Sequence, residues 1–328
     1  MSALSQLPDT FLGYRRAGGG VGTRNHLLVV PSVVCANTVA QRVASLIPGA
    51  VAVPHPHGCA QVGDDVLLTE KVLAGAAASP NVGAALVIGL GCETCQSGEV
   101  AEIARSLAPG KPLESFSIQE AGGSIKAISR GVEAGKRLLN QIASQRRESL
   151  PVSELVLARD RGHDDATTER AADPVARVVE RLVLAAGGTV IVPEFMVTAG
   201  ERVGALSFAE RPTGKGRHVM RTPDVDNVSV SAMAAGGSQI CVFTTGKGSP
   251  LGNAICPVIK VCGNPVTNQR MADNIDFAST SLLDGTSGVD ELGERLFRML
   301  IDVSSGQLTN AEMIGHQEFA IHRVGPTV

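Results

Sequence analysis

The sequence of 328 residues contains no tryptophan and one tyrosine, Tyr14, and aromatic residues make up only 3% of it. Stacking on nucleobases or sugar rings has almost nothing to use, so a polar ligand would have to be held by hydrogen bonds and charge. A strong excess of either charge is also missing. The formal net charge is −3 and the arginines and lysines are scattered, which argues against nucleic acid and against an anionic membrane surface as partners. No apolar run approaches the roughly 20 residues that span a bilayer. The start, Met1 to Thr10, lacks the basic-then-apolar order of a secretory signal, and the expected compartment is the cytoplasm. Seven cysteines, an odd number and several beside glycine, suit reduced thiols better than a disulfide framework.

What is present is ordinary globular material, 44% hydrophobic and 19% charged, in a chain long enough for two domains. From Asn25 to about Gln141, four short apolar runs alternate with segments of helical period: Leu27–Val30, Ala50–Val53, Ala84–Leu90 and Ser115–Ile118. That alternation predicts βα repeats around a parallel sheet. The polar stretch Ser144–Ser153 reads as a linker. Beyond it come an apolar run at Leu155–Leu157, a helix over Val175–Leu184, strands at Thr189–Val192, Gln239–Phe243 and Pro257–Val261, and a last helix over Val289–Asp302. Gly200–Val219, rich in charge, Gly and Pro, reads as a long surface loop. The expected class is α/β. Two α/β domains, residues 1–147 and 148–328, are expected, the first an open, mostly parallel sheet flanked by helices, the second α/β with that loop.

In open parallel sheets ligands sit outside the carboxyl ends of the strands. Three loops there carry reactive or turn-forming residues: Ser32–Asn37 (with Cys35), His55–Cys59 and Gly89–Glu93. His55, His57 and Cys59 are metal-competent within five residues, and imidazole and thiolate suit transition metals. Glu93, at the end of a strongly apolar strand, is a candidate ligand or base. Cys92 and Cys95 form a CxxC, but no second pair follows at zinc-ribbon spacing. The turn Thr245-Gly246-Lys247-Gly248-Ser249 fails the phosphate-loop pattern, since Cys241 stands where the first glycine belongs. A glycine-rich turn with a lysine can still cradle a carboxylate. Gly89-Leu90-Gly91 has Thr94 in place of a third glycine, so no nucleotide cofactor is expected. Arg159-Asp160-Arg161-Gly162-His163-Asp164-Asp165 crowds charge just after the first strand of the second half.

Gly13-Tyr14-Arg15-Arg16, Val21-Gly22-Thr23-Arg24-Asn25, the His57-Gly58-Cys59 turn, Gly89–Glu93 and Cys241–Ser249 together resemble the altronate/galactarate dehydratase family, in collinear order over nearly the whole chain. The resemblance implies dehydration of a sugar acid to a 2-keto-3-deoxy product with a divalent metal, Fe(II) or Mn(II). It also implies a small β-rich domain that members carry ahead of this region or as a separate subunit, so a small partner subunit is expected along with a homo-oligomer. On that reading His55, His57, Cys59 and Glu93 hold the metal, while Arg15, Arg24, Asn25, Thr245, Gly246, Lys247, Gly248 and Ser249 bind the substrate. His163 or Asp164, with Glu93, performs the proton transfers. The family's second large domain opens with Glu-Cys-Gly-Gly-Ser-Asp, and here Arg159–Asp165 stands in that place. Two rivals remain: a sulfo-lyase acting on an acid such as sulfolactate, with Arg159 and Arg161 as extra cationic contacts, and a non-catalytic binding subunit.

Overall fold

The computed structural model describes residues 7–162, 165–197 and 204–325. Its first half holds a four-stranded parallel sheet in the order Ala50–Ala52, His26–Pro31, Val82–Gly89, Leu113–Ser117. Every residue of Val82–Gly89 is buried, the mark of a parallel strand covered on both faces. Helices Asn37–Ser45 and Ser124–Ile142 pack together on one face. In the longer helix Ala127, Gly131, Ala134, Gly135, Leu138 and Ile142 are buried, three or four residues apart as one helical stripe requires.

The second half holds a seven-stranded parallel sheet ordered Gly204–Leu206, Gly216–Met220, Thr189–Pro193, Val156–Arg161, Ile240–Thr245, Val258–Cys262, Phe277–Ala278. Helices Asp173–Ala185 and Val289–Ser304 pack together. The two halves share one apolar cluster running from Leu28 and Val72 through Val228 to Phe243. Its centre is the contact between helices Asp64–Ala78 and Asp226–Ala235. Both are rich in alanine and buried over most of their length, as helices lying inside a core are.

Two segments differ from expectation. Glu148–Pro151, inside the stretch read as a linker, is a strand that pairs antiparallel with Thr10–Arg15, which in turn pairs with Val21–Gly22. Only Leu150 of that strand is buried, so no apolar run announced it. Gly204–Leu206 and Gly216–Met220, inside the expected surface loop, form the edge of the large sheet. Edge strands are half exposed, and glycine and charge disguised them. All seven cysteines are free thiols. Among the described residues no helix is long and apolar enough to cross a membrane.

Candidate active site

Each sheet reverses its strand order once. In the first, the chain steps outward from His26–Pro31 to Ala50–Ala52 on one side and to Val82–Gly89 on the other. In the second, it steps from Val156–Arg161 to Thr189–Pro193 and returns to Ile240–Thr245 on the opposite side. Such switch points open crevices at the carboxyl ends of the two diverging strands. They fall beside Ser32 and Leu90 in the first sheet, and beside Gly162 and Gly246 in the second.

The three first-sheet loops meet. Val34 N–H donates to His57 O (2.8 Å) and Cys95 N–H to Gly58 O (3.2 Å). Gly58, at φ +95°, lies so close to the chain that a Cβ would stand 2.2 Å from Ser32 O, so only glycine permits this contact. The polar groups gathered there satisfy one another. The Glu93 carboxylate, 4% exposed, accepts from Ser32 Oγ (3.0 Å) and from the backbone N–H of Leu90 (3.1 Å) and Gly91 (2.5 Å). His55, 3% exposed, donates from Nε2 to Pro31 O (2.7 Å) and accepts at Nδ1 from the His57 N–H (3.2 Å). That pair of bonds defines a neutral imidazole, and burial lowers its pKa to about 4. His57 points its Nε2 at Ile321 O (3.2 Å), and Cys35, Cys59 and Cys92 are exposed.

His55, His57, Cys59 and Glu93 do not fit a divalent metal in this arrangement. His55 has its lone pair on an amide, Glu93 already accepts from three donors, and among the described residues no three His, Cys, Asp or Glu side chains gather as a metal site. These side chains hold the loops together.

At the second switch point the charged stretch is not the loop expected after a short strand. The strand runs through to Arg161, and Arg159 and Asp160 are inside it, 2% and 0% exposed. Charge is tolerated there because it is paired. Arg159 reaches Glu180 (3.1 Å) and Asp173 (3.2 Å), Arg161 reaches Asp173 (3.3 Å) and Arg217 reaches Glu180 (2.6 Å). Asp160 accepts from Ser229 Oγ and the Arg161 N–H, and burial raises its pKa to about 7. Sequence reasoning passed over this carboxyl. The available signal was a charge inside an apolar strand.

His163 and Asp164 lie outside the described residues. The residues on either side are pinned to the neighbouring strand end. Gly162 N–H donates to Thr244 O (2.9 Å), and a Cβ on Gly246 would stand 2.0 Å from Asp165 Oδ1. Asp165 accepts from the N–H of Thr167 (2.8 Å) and Thr168 (2.9 Å). Burial would raise its pKa, but the bonds from Thr167 and Thr168 outweigh it and hold the carboxyl below its ordinary value. Gly162 and Asp165 therefore sit beside the strand end that carries the Gly246–Ser249 turn, in which Lys247 is exposed. Within the turn, Thr245 Oγ1 accepts from Gly248 N–H (3.0 Å) and Ser249 Oγ from Leu251 N–H (3.2 Å).

Three expected substrate anchors are placed elsewhere. Arg24 is buried, with Glu312 held at 2.7 and 2.8 Å and further bonds to the carbonyls of Thr23, Val303 and Gln307. Asn25 bonds to Arg16 and Ile142 O. Arg15 is exposed and pairs with Glu148 at 2.7 Å on the small antiparallel sheet. All three lie before or at the amino end of the His26–Pro31 strand, away from the loops after its carboxyl end. The final segment bridges the halves: Glu318 accepts from Gly252 N–H (2.9 Å), Ala320 N–H donates to Ser231 Oγ (3.1 Å), and Val324 and Gly325 donate to Asp65 (2.7 and 2.8 Å).

Two open parallel sheets, each with a crevice at its switch point, define an α/β protein of the kind that binds small molecules beyond its strand ends. Residues 13–143 match the family model "D-galactarate dehydratase/Altronate hydrolase, second domain", and residues 197–327 match "D-galactarate/Altronate dehydratase, C-terminal". The chain belongs to the D-galactarate/altronate dehydratase family, a family of lyases. It is 30% identical to the beta subunit of (2R)-sulfolactate sulfo-lyase from Chromohalobacter salexigens, over 96% of this chain and 97% of that one. It is 28% identical to the altronate dehydratase of Bacillus subtilis, over 97% and 78%. With the galactarate dehydratase (L-threo-forming) of Escherichia coli the identity is 26%, over 97% and 77%. Arg159–Asp165, where the sequence departs from Glu-Cys-Gly-Gly-Ser-Asp, falls between the two matched regions.

Proposed function

We propose that the protein is a cytoplasmic hydro-lyase that eliminates water from a small hydroxylated carboxylic acid of the sugar-acid kind. The observation that supports this most is the juxtaposition at the second switch point of Gly162 and Asp165 with the strand end that carries the Lys247 turn, in a chain matched across both halves by dehydratases. A base between them in sequence, His163 or Asp164, removes the proton from C2. The hydroxyl on C3 leaves, a C2–C3 enol forms, and ketonisation takes a proton from solvent at C3. Lys247 holds the substrate carboxylate, where its charge is worth most as the transition state gathers negative charge. An imidazole with an ordinary pKa near 6.5 serves as base at neutrality without a large shift. No step is routed through a metal, because His55 and Glu93, two of the residues expected to hold one, are bonded to protein groups.

A second reading replaces water by sulfite, and the sulfo-lyase subunit supports it by the extent of its match. Arg159, offered for a sulfonate, cannot take part: its guanidinium is buried against Asp173 and Glu180. The name of that relative, a beta subunit, also supports a second, small subunit for this chain, and homo-oligomerisation is part of the same proposal. The test is a screen of aldonic, aldaric and sulfonated hydroxy acids for 2-keto product, with and without the small subunit. A keto product from an aldonic or aldaric acid is expected, and sulfite release alone would replace the first reading by the second.

A further inference from the structure

On the side opposite the candidate active site, a cavity of about 540 Å³ opens at the amino ends of the strands of both sheets, among Gly83, Pro112, Val156, Thr189 and Gln239. Of the four cations that line it, Lys215 lies at the rim, and the other three are Arg16 and Lys111 from the first half and Arg211 from the second. Among the described residues none of these three pairs with a carboxylate. Arg16 bonds to neutral oxygens only, of Pro80, Asn25, Gln145 and Arg24. Lys111 Nζ donates to the carbonyls of Ala77 (3.1 Å) and Ser79 (2.6 Å) at the end of a helix, which leaves its third N–H. The remaining charged groups at the rim, Lys215 and Glu154, lie 4.0 Å from each other and neutralise one another.

Arg211 makes the case specific. Its Nη1 donates to Leu107 O (2.9 Å), while Nε and Nη2 are sealed from solvent and have no hydrogen-bond partner. Ionised donors left bare in a protein interior are costly, and native structures rarely keep them so without a partner that comes and goes. The Arg211 charge is therefore uncompensated among the described residues, and an anion in the cavity that Arg211 lines would offset it. Burial and the two guanidiniums also hold the Lys111 pKa well below its ordinary value, which an anion between them would relieve. A cavity of this size holds more than an inorganic ion.

We propose that this cavity binds a small organic oxyanion, neutralised by the charges of Arg211, Lys111 and Arg16, at a site separate from the lyase centre. The anion ties the two halves together at their amino-end face. Binding is independent of turnover, so the proposal stands or falls apart from the lyase reading.

The test is calorimetric titration of the full chain with malonate and with inorganic phosphate, at constant ionic strength set by chloride, alongside melting curves. Saturable binding of at least one anion is expected, malonate alone identifying a carboxylate ligand and phosphate alone a phosphoryl one. Arg211→Gln should weaken it by about tenfold or more, the usual loss when a charged hydrogen-bond pair is removed. Arg211→Lys, which keeps the charge, should recover most of the binding. Lys247→Ala should bind as the parent does. Without ligand, Arg211→Gln should melt no lower than the parent, since it removes an uncompensated cation. No binding above the chloride background, unchanged binding in Arg211→Gln, a lower melting point for that variant without ligand, or loss in Lys247→Ala alone would each overturn the proposal.

Discussion

The two switch points have the same address in their sheets and different contents. At the first, Glu93 and His55 have their acceptors and donors taken by Ser32, Leu90, Gly91, Pro31 and His57. At the second, Gly162 bonds to the Thr244 carbonyl, the Asp165 carboxylate lies against Gly246, and a lysine is left facing solvent. A motif rich in histidine, cysteine and glutamate can thus serve to lock loops together, while a less conspicuous turn keeps its charge available. What distinguishes them is whether the polar atoms already have partners.

The difference can be broken most forcefully at position 163. His163→Ala should lower kcat on whichever acid turns over by roughly 10²- to 10⁴-fold, the range for a lost general base, with the melting temperature unchanged. Retained activity in that variant would shift the chemistry back towards the first switch point. Glu93→Ala should act the opposite way, through stability. It strands the buried Ser32 hydroxyl and two part-buried backbone N–H groups at a cost of about 2–3 kcal/mol, measured by urea unfolding. A stable but inactive Glu93→Ala protein would make Glu93 a chemical group after all.

Asp160 sharpens the second region through pH. Its folded pKa, near 7, exceeds the unfolded 3.8, so the fold favours the protonated carboxyl. Stability from this group is complete below about pH 4 and is lost as pH rises through 7. Asp160→Asn should therefore gain about 2–4 kcal/mol over the parent at pH 8, and the gain should vanish near pH 4. Equal stability at both pH values would mean that Asp160 is ionised within the fold. The smallest effect is expected from Lys247→Ala: KM for a carboxylate substrate raised about tenfold, equivalent to ~1.4 kcal/mol, with no change in folding. An unaltered KM would return Lys247 to ordinary surface.

Much of the fold could be read beforehand, and the failures share a cause. Val82–Gly89 is buried on both faces and announced itself as an unbroken apolar run, and the helix over Val289–Ser304 by its stripe. Glu148–Pro151 and Gly204–Leu206 lie at sheet edges, where half the side chains face water and periodicity fades. The candidate site was legible as a set of loops, since strand ends are set by the same apolar runs. Its internal chemistry was not. Whether Arg24 meets a substrate or Glu312, and whether Glu93 meets a metal or three protein donors, depends on residues distant in sequence. The cationic cavity had no motif at all, because Arg16, Lys111 and Arg211 come from three separate segments.

The most direct test of the central claim is to incubate the protein, with and without the proposed small subunit, in D₂O with each candidate hydroxy acid and follow the product by proton NMR. Elimination through a C2–C3 enol predicts a 2-keto acid carrying one solvent deuterium at C3, whether water or sulfite departs. Binding of the acids with no keto product, or a keto product without deuterium at C3, would contradict the account.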